Sequence, residues 1–505
     1  MTGDIKTGNM KIAGRIPRAL IAAILILALI RAVIAGTTGL VDDEAYYRLW
    51  SLHPALSYLD HPPMVAYMIA AGRAIFGDNP FGIRFGAGIA ALVTLAATWR
   101  TVALLFSTSL AGRTLWLMLG MPLLAVGGII ITPDIPSVMF LALALWTLAE
   151  LHRSGNANWW LATGLFCGLG LLSKYTNLFA GATILIWLLW VPDNRKWFKS
   201  WQLWAGGALA AALTLPLVLW NAEHDWASFT KQFGRVGKGN DIGIAYIGEM
   251  LGGLAALANP VIFILAVTGF AALARKAWTA RDSAATLVIA AILPMAAYFL
   301  IHALHDRVQG NWLGPLYPAL AVCAAVALAA MTDAVKQSRT FIAALATGAA
   351  MIGFIYLHTL MPLTSGLLRA DPTSQMRGWP EFAEKVDRLR LEQGAQWIAT
   401  SSFATTAQLA YALKDKPVPV LQLNERLRYL HLPAPDPALL QSPALYVDLA
   451  RRERSDLLSA LFQSVTPLAA VHRGPDVSPF AIYATRRLAA PRGHPLADTA
   501  TVSER

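Results

Sequence analysis

The run PRALIAAILILALIRAVIAGTTGLVDDEAYYRLWSLHPALSYLDHPPM, residues 17 to 64, holds in one stretch both the solvent this chain expects and the groups that could do chemistry in it. Its first half is apolar over the roughly 20 residues a helix needs to cross a bilayer. Its second half sets Asp42, Asp43, Glu44, His53, Asp60 and His61 among aromatics and prolines. Three successive carboxylates cannot sit in hydrocarbon, so they belong at a membrane surface or in a wet cavity. The same residues also have a plain structural explanation. Acids favour the first turn of a helix, and AYYRLW has the pattern of one or two amphipathic turns.

The whole chain agrees with a membrane setting. Of its 505 residues 56% are apolar and only 14% charged, where soluble domains carry about a quarter charged residues. Mean hydropathy is +0.50. A net charge of +11 would suggest nucleic acid in a soluble protein. In this setting it reflects basic cytoplasmic loops and anionic, phosphate-bearing lipid, and no nucleic-acid partner is expected. Cys167 and Cys323 fall inside apolar runs and build no disulfide framework.

Residues 1 to 17 are polar, carry Lys6, Lys11 and Arg15, and are followed by no small-residue cleavage site, which reads as an uncleaved signal-anchor with the N-terminus inside. Later apolar runs at 81–106, 109–131, 135–151, 159–173, 177–191, 203–220, 244–273, 284–302, 312–331 and 340–361 bring the expectation to about eleven spans. The inner loops then collect most of the Lys and Arg residues, as the positive-inside rule requires. The unusual polar residues gather on the opposite face, in 41–64, 132–134, 173–176, 220–240 and 302–312. One-sided clustering suits an extracytoplasmic active site; a channel or an alternating-access transporter does not require it. A transporter should also show paired halves with broken helices, and no internal repeat is visible.

After Pro362 short β-like runs (QWIATSS, VPVLQL, ALYVDL, FAIYATR) alternate with helical ones (WPEFAEKVDRLRLEQ, TTAQLAYAL). The expected organisation is a transmembrane unit over 1–361, an extracytoplasmic α/β unit over 362–490 and a disordered tail over 491–505. There is no Gly-rich nucleotide loop, no CxxC or HExxH, and no GxSxG.

Asp43 and Asp134 lie at outer span ends far apart in sequence, where folding can bring both to one cavity, and a general base needs a carboxylate beside the proton it removes. TPDIP equally suits an N-cap with Pro136 in the first helical turn. Arg84 and Lys174 sit where a phosphate at headgroup depth would meet them, Arg by a bidentate fork and Lys as a point charge. Snorkelling to the interface explains such residues without a ligand. Arg31 is deeper and should face the bundle, toward Asp43 or Glu44. His61, His224, His302 and His305 show no metal-ligand spacing.

DEAYY at 43–47, DHPPM at 60–64, FGIRF at 81–85, TPDIP at 132–136, LLSKYT at 171–176, PLVLWNAEHDWASFTKQFGR at 216–235 and QGNWLGPLYPA at 309–319 together resemble the bacterial glycosyltransferase family 39. That family is related to the dolichyl-phosphate-mannose protein mannosyltransferases and the aminoarabinose transferases of lipid A. The resemblance covers most of residues 20–331, and more loosely the C-terminal segment. It implies an all-α polytopic GT-C fold with a small C-terminal α/β domain. It also implies inverting transfer of a sugar from a polyprenyl-phosphate donor to a lipid A, core-saccharide or other envelope glycan acceptor, at the periplasmic face of a bacterial inner membrane. Carried over by motif, Asp43 is the expected general base, Glu44 its partner and Asp134 the second acid. Arg84, Lys174 and Arg235 are the expected phosphate contacts, with Tyr46, Tyr47, His61, Tyr175, His224 and Asn311 around the substrate. A lipid-linked donor needs no nucleotide-binding domain. No metal ligands are assigned, although a divalent metal stays open for the family. Two Tyr follow the DE pair, and the large β-trefoil inserts of the eukaryotic protein mannosyltransferases are missing, which favours a glycolipid over a protein acceptor. The remaining alternatives are a protein O-mannosyltransferase-like enzyme, a lipid-linked saccharide transporter and a non-catalytic assembly component.

Overall fold

The computed structural model describes residues 16–234, 243–363, 371–452, 455–474 and 480–488. The first part is helical throughout: α1 (Arg18–Thr37), α2 (Asp42–Leu52), α3 (Met64–Phe76), α4 (Pro80–Leu105), α5 (Thr108–Leu119), α6 (Pro122–Val126), α7 (Asp134–Ser154), α8 (Trp159–Leu171), α9 (Phe179–Trp190), α10 (Trp201–Glu223), α11 (Ala227–Phe233), α12 (Ala245–Ala258), α13 (Pro260–Ala280), α14 (Ser283–His302), α15 (Tyr317–Ala329) and α16 (Ala334–Leu360). Eight described helices are long and apolar enough to cross a bilayer by themselves, counting Gly310–Ala329, in which the turn Gly310–Leu316 runs straight into α15, as one; the number is nine if the bent pair Tyr175–Trp190 and Pro192–Lys199 is one span.

This is fewer than the eleven apolar runs suggest, and the reason is local. Run 109–131 breaks at Gly120 and Met121 ahead of Pro122, leaving α5 with 12 residues and α6 with 5. Run 159–173 forms only the 13-residue α8. Run 177–191 forms only the 12-residue α9. Run 244–273 divides at Asn259 (φ +75°), whose side chain accepts from the Val261 N–H while Pro260 opens α13, so that only α13 of that run is a full span. Apolar content alone does not register such breaks, which depend on single Gly, Asn and Pro residues.

α1 turns Leu25, Ile26, Leu29 and Val33 outward, as a lipid-facing helix should, and buries Leu20, Arg31, Ile34 and Ala35. Where helices meet inside the bundle, small residues let the backbones touch. A Cβ on Gly164 of α8 would lie 2.0 Å from the Gly206 carbonyl oxygen of α10. Close backbone packing replaces the hydrophobic drive that hydrocarbon cannot supply.

Beyond α16 the chain forms α17 (Trp379–Glu392), α18 (Phe403–Ala412) and five strands, β1 (Trp397–Thr400), β2 (Val420–Gln422), β3 (Ala444–Leu449), β4 (Phe462–Val471) and β5 (Phe480–Leu488). The sheet order is β2-β1-β3-β5-β4, with β1 parallel to β2 and β3, and β5 antiparallel to β3 and β4. The four β-like runs of the sequence are, in order, β1, β2, β3 and β5. β4 escaped because it is an edge strand, mostly exposed, with Pro467 at a register shift. This unit sits on the end of the bundle that carries α2: Gln408 Nε2 donates to the Leu40 carbonyl and to Asp42 Oδ1, both at 3.0 Å, and Phe403 packs 5.2 Å from the Tyr46 ring. The expected tail over 491–505 and the basic residues Lys6, Lys11 and Arg15 lie outside the described residues.

Candidate active site

The acidic start of α2 divides its labour by direction. Glu44, at the third helical position, takes the Val41 N–H at 3.1 Å, so the end-capping explanation holds for this residue. It also accepts the Ile131 N–H at 3.0 Å and two donors of Arg84, Nε at 2.8 Å and Nη2 at 2.5 Å. Arg84 spends its remaining donors on the Ala35, Thr38 and Gly39 carbonyls and the Thr38 hydroxyl. Both side chains are fully enclosed. This buried pair ties the end of α1, the start of α2 and the segment entering α7 to α4. It corrects two expectations: Glu44 does not face a substrate, and Arg84 has no donor left for a phosphate, because a guanidinium inside the bundle must be matched by protein.

One residue earlier on the helix, about 100° around its axis, Asp43 points elsewhere. It opens into a cavity of about 840 Å³ that is also lined by Asp134, Asn311, Arg31, Tyr356 and His358. Among the described residues the Asp43 carboxylate has no hydrogen-bond or ion-pair partner. Protein surrounds it on most sides although its surface reaches the cavity. That enclosure, followed by the charges of Asp42, Asp60, Asp134 and Glu44, raises its pKa to about 6.

Asp134 is the first residue of α7 and not its cap, which is Pro133 with no side-chain bond. Its carboxylate takes Lys174 Nζ at 2.5 Å and Asn311 Nδ2 at 2.9 Å. Lys174 is the extended residue before the turn Tyr175–Leu178, and Asn311 lies in the turn Gly310–Leu316. Three loops expected on one face therefore meet at one carboxylate. Lys174 and Asn311 hold the second acid in place, and Lys174 stands behind Asp134 instead of lining the cavity.

A second acidic hub was not picked out from the sequence. Asp60 pairs with Lys231 at 2.6 Å and Arg428 at 2.5 Å, and accepts from the Tyr46 hydroxyl at 2.8 Å. Burial alone would raise this carboxyl, but Arg428 and Lys231 outweigh it and hold it at about 2. Tyr46 thus serves the contact between bundle and sheet. The Tyr47 hydroxyl is pushed well above its usual range by burial, then by the charges of Asp43, Asp60 and Asp134, and Tyr47 is not among the residues that line the cavity. Beside these acids His61 is driven down to about 4, first by burial and then by Lys174, so it is neutral at physiological pH. Its Nδ1 is buried without a partner. Tyr175 binds Ser228 Oγ at 2.7 Å, and His224 stacks on Trp220 and meets its carbonyl at 2.7 Å. Neither lines the cavity, so the substrate contacts expected of these two are replaced by packing of α10 and α11. Arg235 lies outside the described residues. Among the described residues no three His, Cys, Asp or Glu side chains group as a metal site.

Arg31 faces the bundle as expected, but toward Tyr356 of α16 (Nε to Oη, 2.9 Å) and not toward Asp43 or Glu44. The part of the cavity wall that sequence reasoning could not supply comes from α16 and the segment after it: Tyr356, His358, Asp371 and Gln375. The inner wall is apolar, with Ile34, Leu95, Met118, Leu123, Ile129 and Phe354.

Against known proteins, residues 60–220 match the family model for dolichyl-phosphate-mannose-protein mannosyltransferases. The lipid A galacturonosyltransferase RgtD of Rhizobium johnstonii is 24% identical over 408 residues, covering 79% of this chain and 83% of that protein. The undecaprenyl phosphate-alpha-4-amino-4-deoxy-L-arabinose arabinosyl transferase of Pseudomonas aeruginosa is 30% identical over 173 residues, 32% of this chain and 30% of its own length. The fold matches ArnT from Cupriavidus metallidurans with a TM-score of 0.63 at 15% identity, covering 92% of this chain and 97% of that one. These similarities support a GT-C glycosyltransferase of family 39 type. This glycosyltransferase is a multi-pass membrane protein. In it a free carboxylate and a cross-braced one share a cavity with polar groups at its rim and an apolar interior.

Proposed function

We propose that this glycosyltransferase moves a sugar from a polyprenyl-phosphate carrier to lipid A or a closely related envelope glycolipid, with inversion, at the periplasmic face of a bacterial inner membrane. The observation that carries this reading is the Asp43 carboxylate, open to the cavity and without a protein partner among the described residues, beside Asp134, whose oxygens are occupied. As the acceptor hydroxyl oxygen bonds to the anomeric carbon, Asp43 takes its proton. On the opposite side the bond from that carbon to the phosphate oxygen breaks, and the electron pair leaves with the phosphate. The apolar inner wall suits an isoprenoid chain. The relative matched over most of its length acts on lipid A, and an ArnT structure holds undecaprenyl phosphate, which supports both the acceptor and the donor class. The periplasmic placement rests on the basic inner loops, the N-terminal segment being outside the described residues. The transmembrane unit over 1–361 and the α/β unit over 362–490 belong to the same proposal, the second closing the outer side of the cavity. Mass spectrometry of lipid A from cells with and without the gene tests the reading. One sugar should disappear from lipid A and return on complementation; an unchanged lipid A profile would overturn the acceptor assignment.

A further inference from the structure

Arg31 is set inside a membrane span, six residues before the end of α1, about 9 Å below its outer end. It is 8% exposed, while Leu29 and Val33 on the same helix are 67% and 54% exposed. No carboxylate pairs with it among the described residues, in contrast to Arg84, Lys174 and Lys231. A lone guanidinium at this depth is costly unless something neutralises it, and such residues mark ligand or ion paths.

Two neighbours hold it in one pose. Its Nε donates to the Tyr356 hydroxyl at 2.9 Å, and that hydroxyl donates onward to the Ala125 carbonyl at 3.0 Å. Opposite, Gly128 leaves room: a Cβ there would stand 2.9 Å from Nη1 and from Cδ. With Nε fixed, the two terminal amino groups form an unfilled fork. They have no hydrogen bond among the described residues. Arg31 lines the large cavity that holds Asp43 and also a smaller apolar one, of about 160 Å³, between α1, α4 and α5. The two cavities share Arg31, Ala91, Leu95 and Leu119 as a common wall. The smaller one is also lined by Ile89 and Leu92, which are exposed on the outer surface of α4.

We infer that Arg31 is an anion-binding residue for a lipid substrate: its free fork takes a phosphate of the lipid, whose hydrocarbon lies along the apolar walls on either side. Among the residues lining the large cavity it is the one Arg or Lys, so an acidic headgroup drawn down toward the bundle meets it. Tyr356 and Gly128 are positioning residues, the first fixing the plane of the guanidinium and the second leaving space for it. The phosphate comes from the polyprenyl carrier or from lipid A, and the chemistry that recognises it is the same. The inference rests on the proposed transfer only for the choice of lipids; its test needs no turnover.

The test uses the full chain in nanodiscs. Binding of undecaprenyl phosphate is compared with undecaprenol, and of phosphorylated with dephosphorylated lipid A, in wild type, Arg31→Gln, Arg31→Lys and Tyr356→Phe. Wild type should prefer the phosphorylated form of one lipid pair, and that pair names the source. Arg31→Gln should reduce the preference about 10- to 100-fold, as loss of a charge-assisted contact does. Arg31→Lys should restore part of it, and Tyr356→Phe should weaken it less than Arg31→Gln. Undiminished phosphate preference in a folded Arg31→Gln protein overturns the inference, as does a wild type that shows no preference in either pair. Asp43→Asn separates this from the proposed function: it should abolish sugar transfer while leaving the phosphate preference intact.

Discussion

Replacing Glu44 by Gln keeps the shape of the side chain and removes its charge from an enclosed ion pair. Glu44 accepts four hydrogen bonds, from Arg84 Nε and Nη2 and from the Ile131 and Val41 N–H groups. Gln keeps an oxygen for the Nε and Ile131 pair but turns an NH2 toward Nη2 and the Val41 N–H, donor against donor. Two accepted bonds are lost and Arg84 stays buried without its counter-charge. A hydrogen bond to a charged group is worth about 1.5–3 kcal/mol, and breaking a buried pair from one side costs about 3–5 kcal/mol, so Glu44→Gln should cost about 3–5 kcal/mol. Arg84→Met should cost a similar amount, since it strands the carboxylate. The double variant Glu44→Met with Arg84→Met should cost less than the two single changes together by about 2 kcal/mol or more. Equilibrium unfolding by SDS titration in mixed micelles measures these differences. A Glu44→Gln protein within about 1 kcal/mol of wild type, or costs that simply add, would refute the assignment of this pair as the brace under Asp43.

Other outcomes follow from the acids around it. A general base must be ionised, so the transfer rate should rise with pH through about 6, the raised pKa of Asp43, and level off above it; a profile flat between pH 5 and 8 would remove Asp43 from that role. Because its folded pKa lies above the ordinary carboxylate value, Asp43 favours the folded state at low pH and loses that contribution as pH rises through about 6. Asp43→Asn should therefore melt higher than wild type at pH 7.5, with the gap closing toward pH 4, by an amount kept small by the exposure of this side chain. Asp60 has the opposite sign: held at about 2, it stabilises at neutral pH and loses this effect as pH falls through that value. Asp60→Asn should cost about 2 kcal/mol and speed hydrogen exchange around Arg428, whose anchor on the bundle it removes; unchanged exchange there would show that the contact does not hold the α/β unit.

The helical class, the C-terminal α/β unit and four of its strands were legible because they rest on composition and period, which the sequence carries directly. The end of the bundle where Asp43, Asp134, Lys174 and Asn311 meet was legible for another reason. Alternating spans return every second loop to one face, so polar motifs far apart in sequence share a site. What charge alone does not reveal is which ions are spent on one another. Arg84 and Lys174 looked alike as phosphate contacts, yet each closes on a carboxylate, Glu44 and Asp134. Glu44 and Asp43 are adjacent and differ only in the direction they leave the helix. Asp60 and Arg428 are separated by most of the chain, and nothing local marks them as partners. The break at Gly120 depends on single residues inside an apolar run, and α8 and α9 stop at 13 and 12 residues, so counting runs overstates the number of full-length spans.

The most direct test of the account is sugar transfer by the purified protein in proteoliposomes, supplied with lipid A and an undecaprenyl-phosphate-linked sugar, for wild type and Asp43→Asn. The account predicts product of inverted anomeric configuration from wild type. It predicts no detectable product from Asp43→Asn that still binds undecaprenyl phosphate. Transfer by Asp43→Asn at the wild-type rate would contradict it.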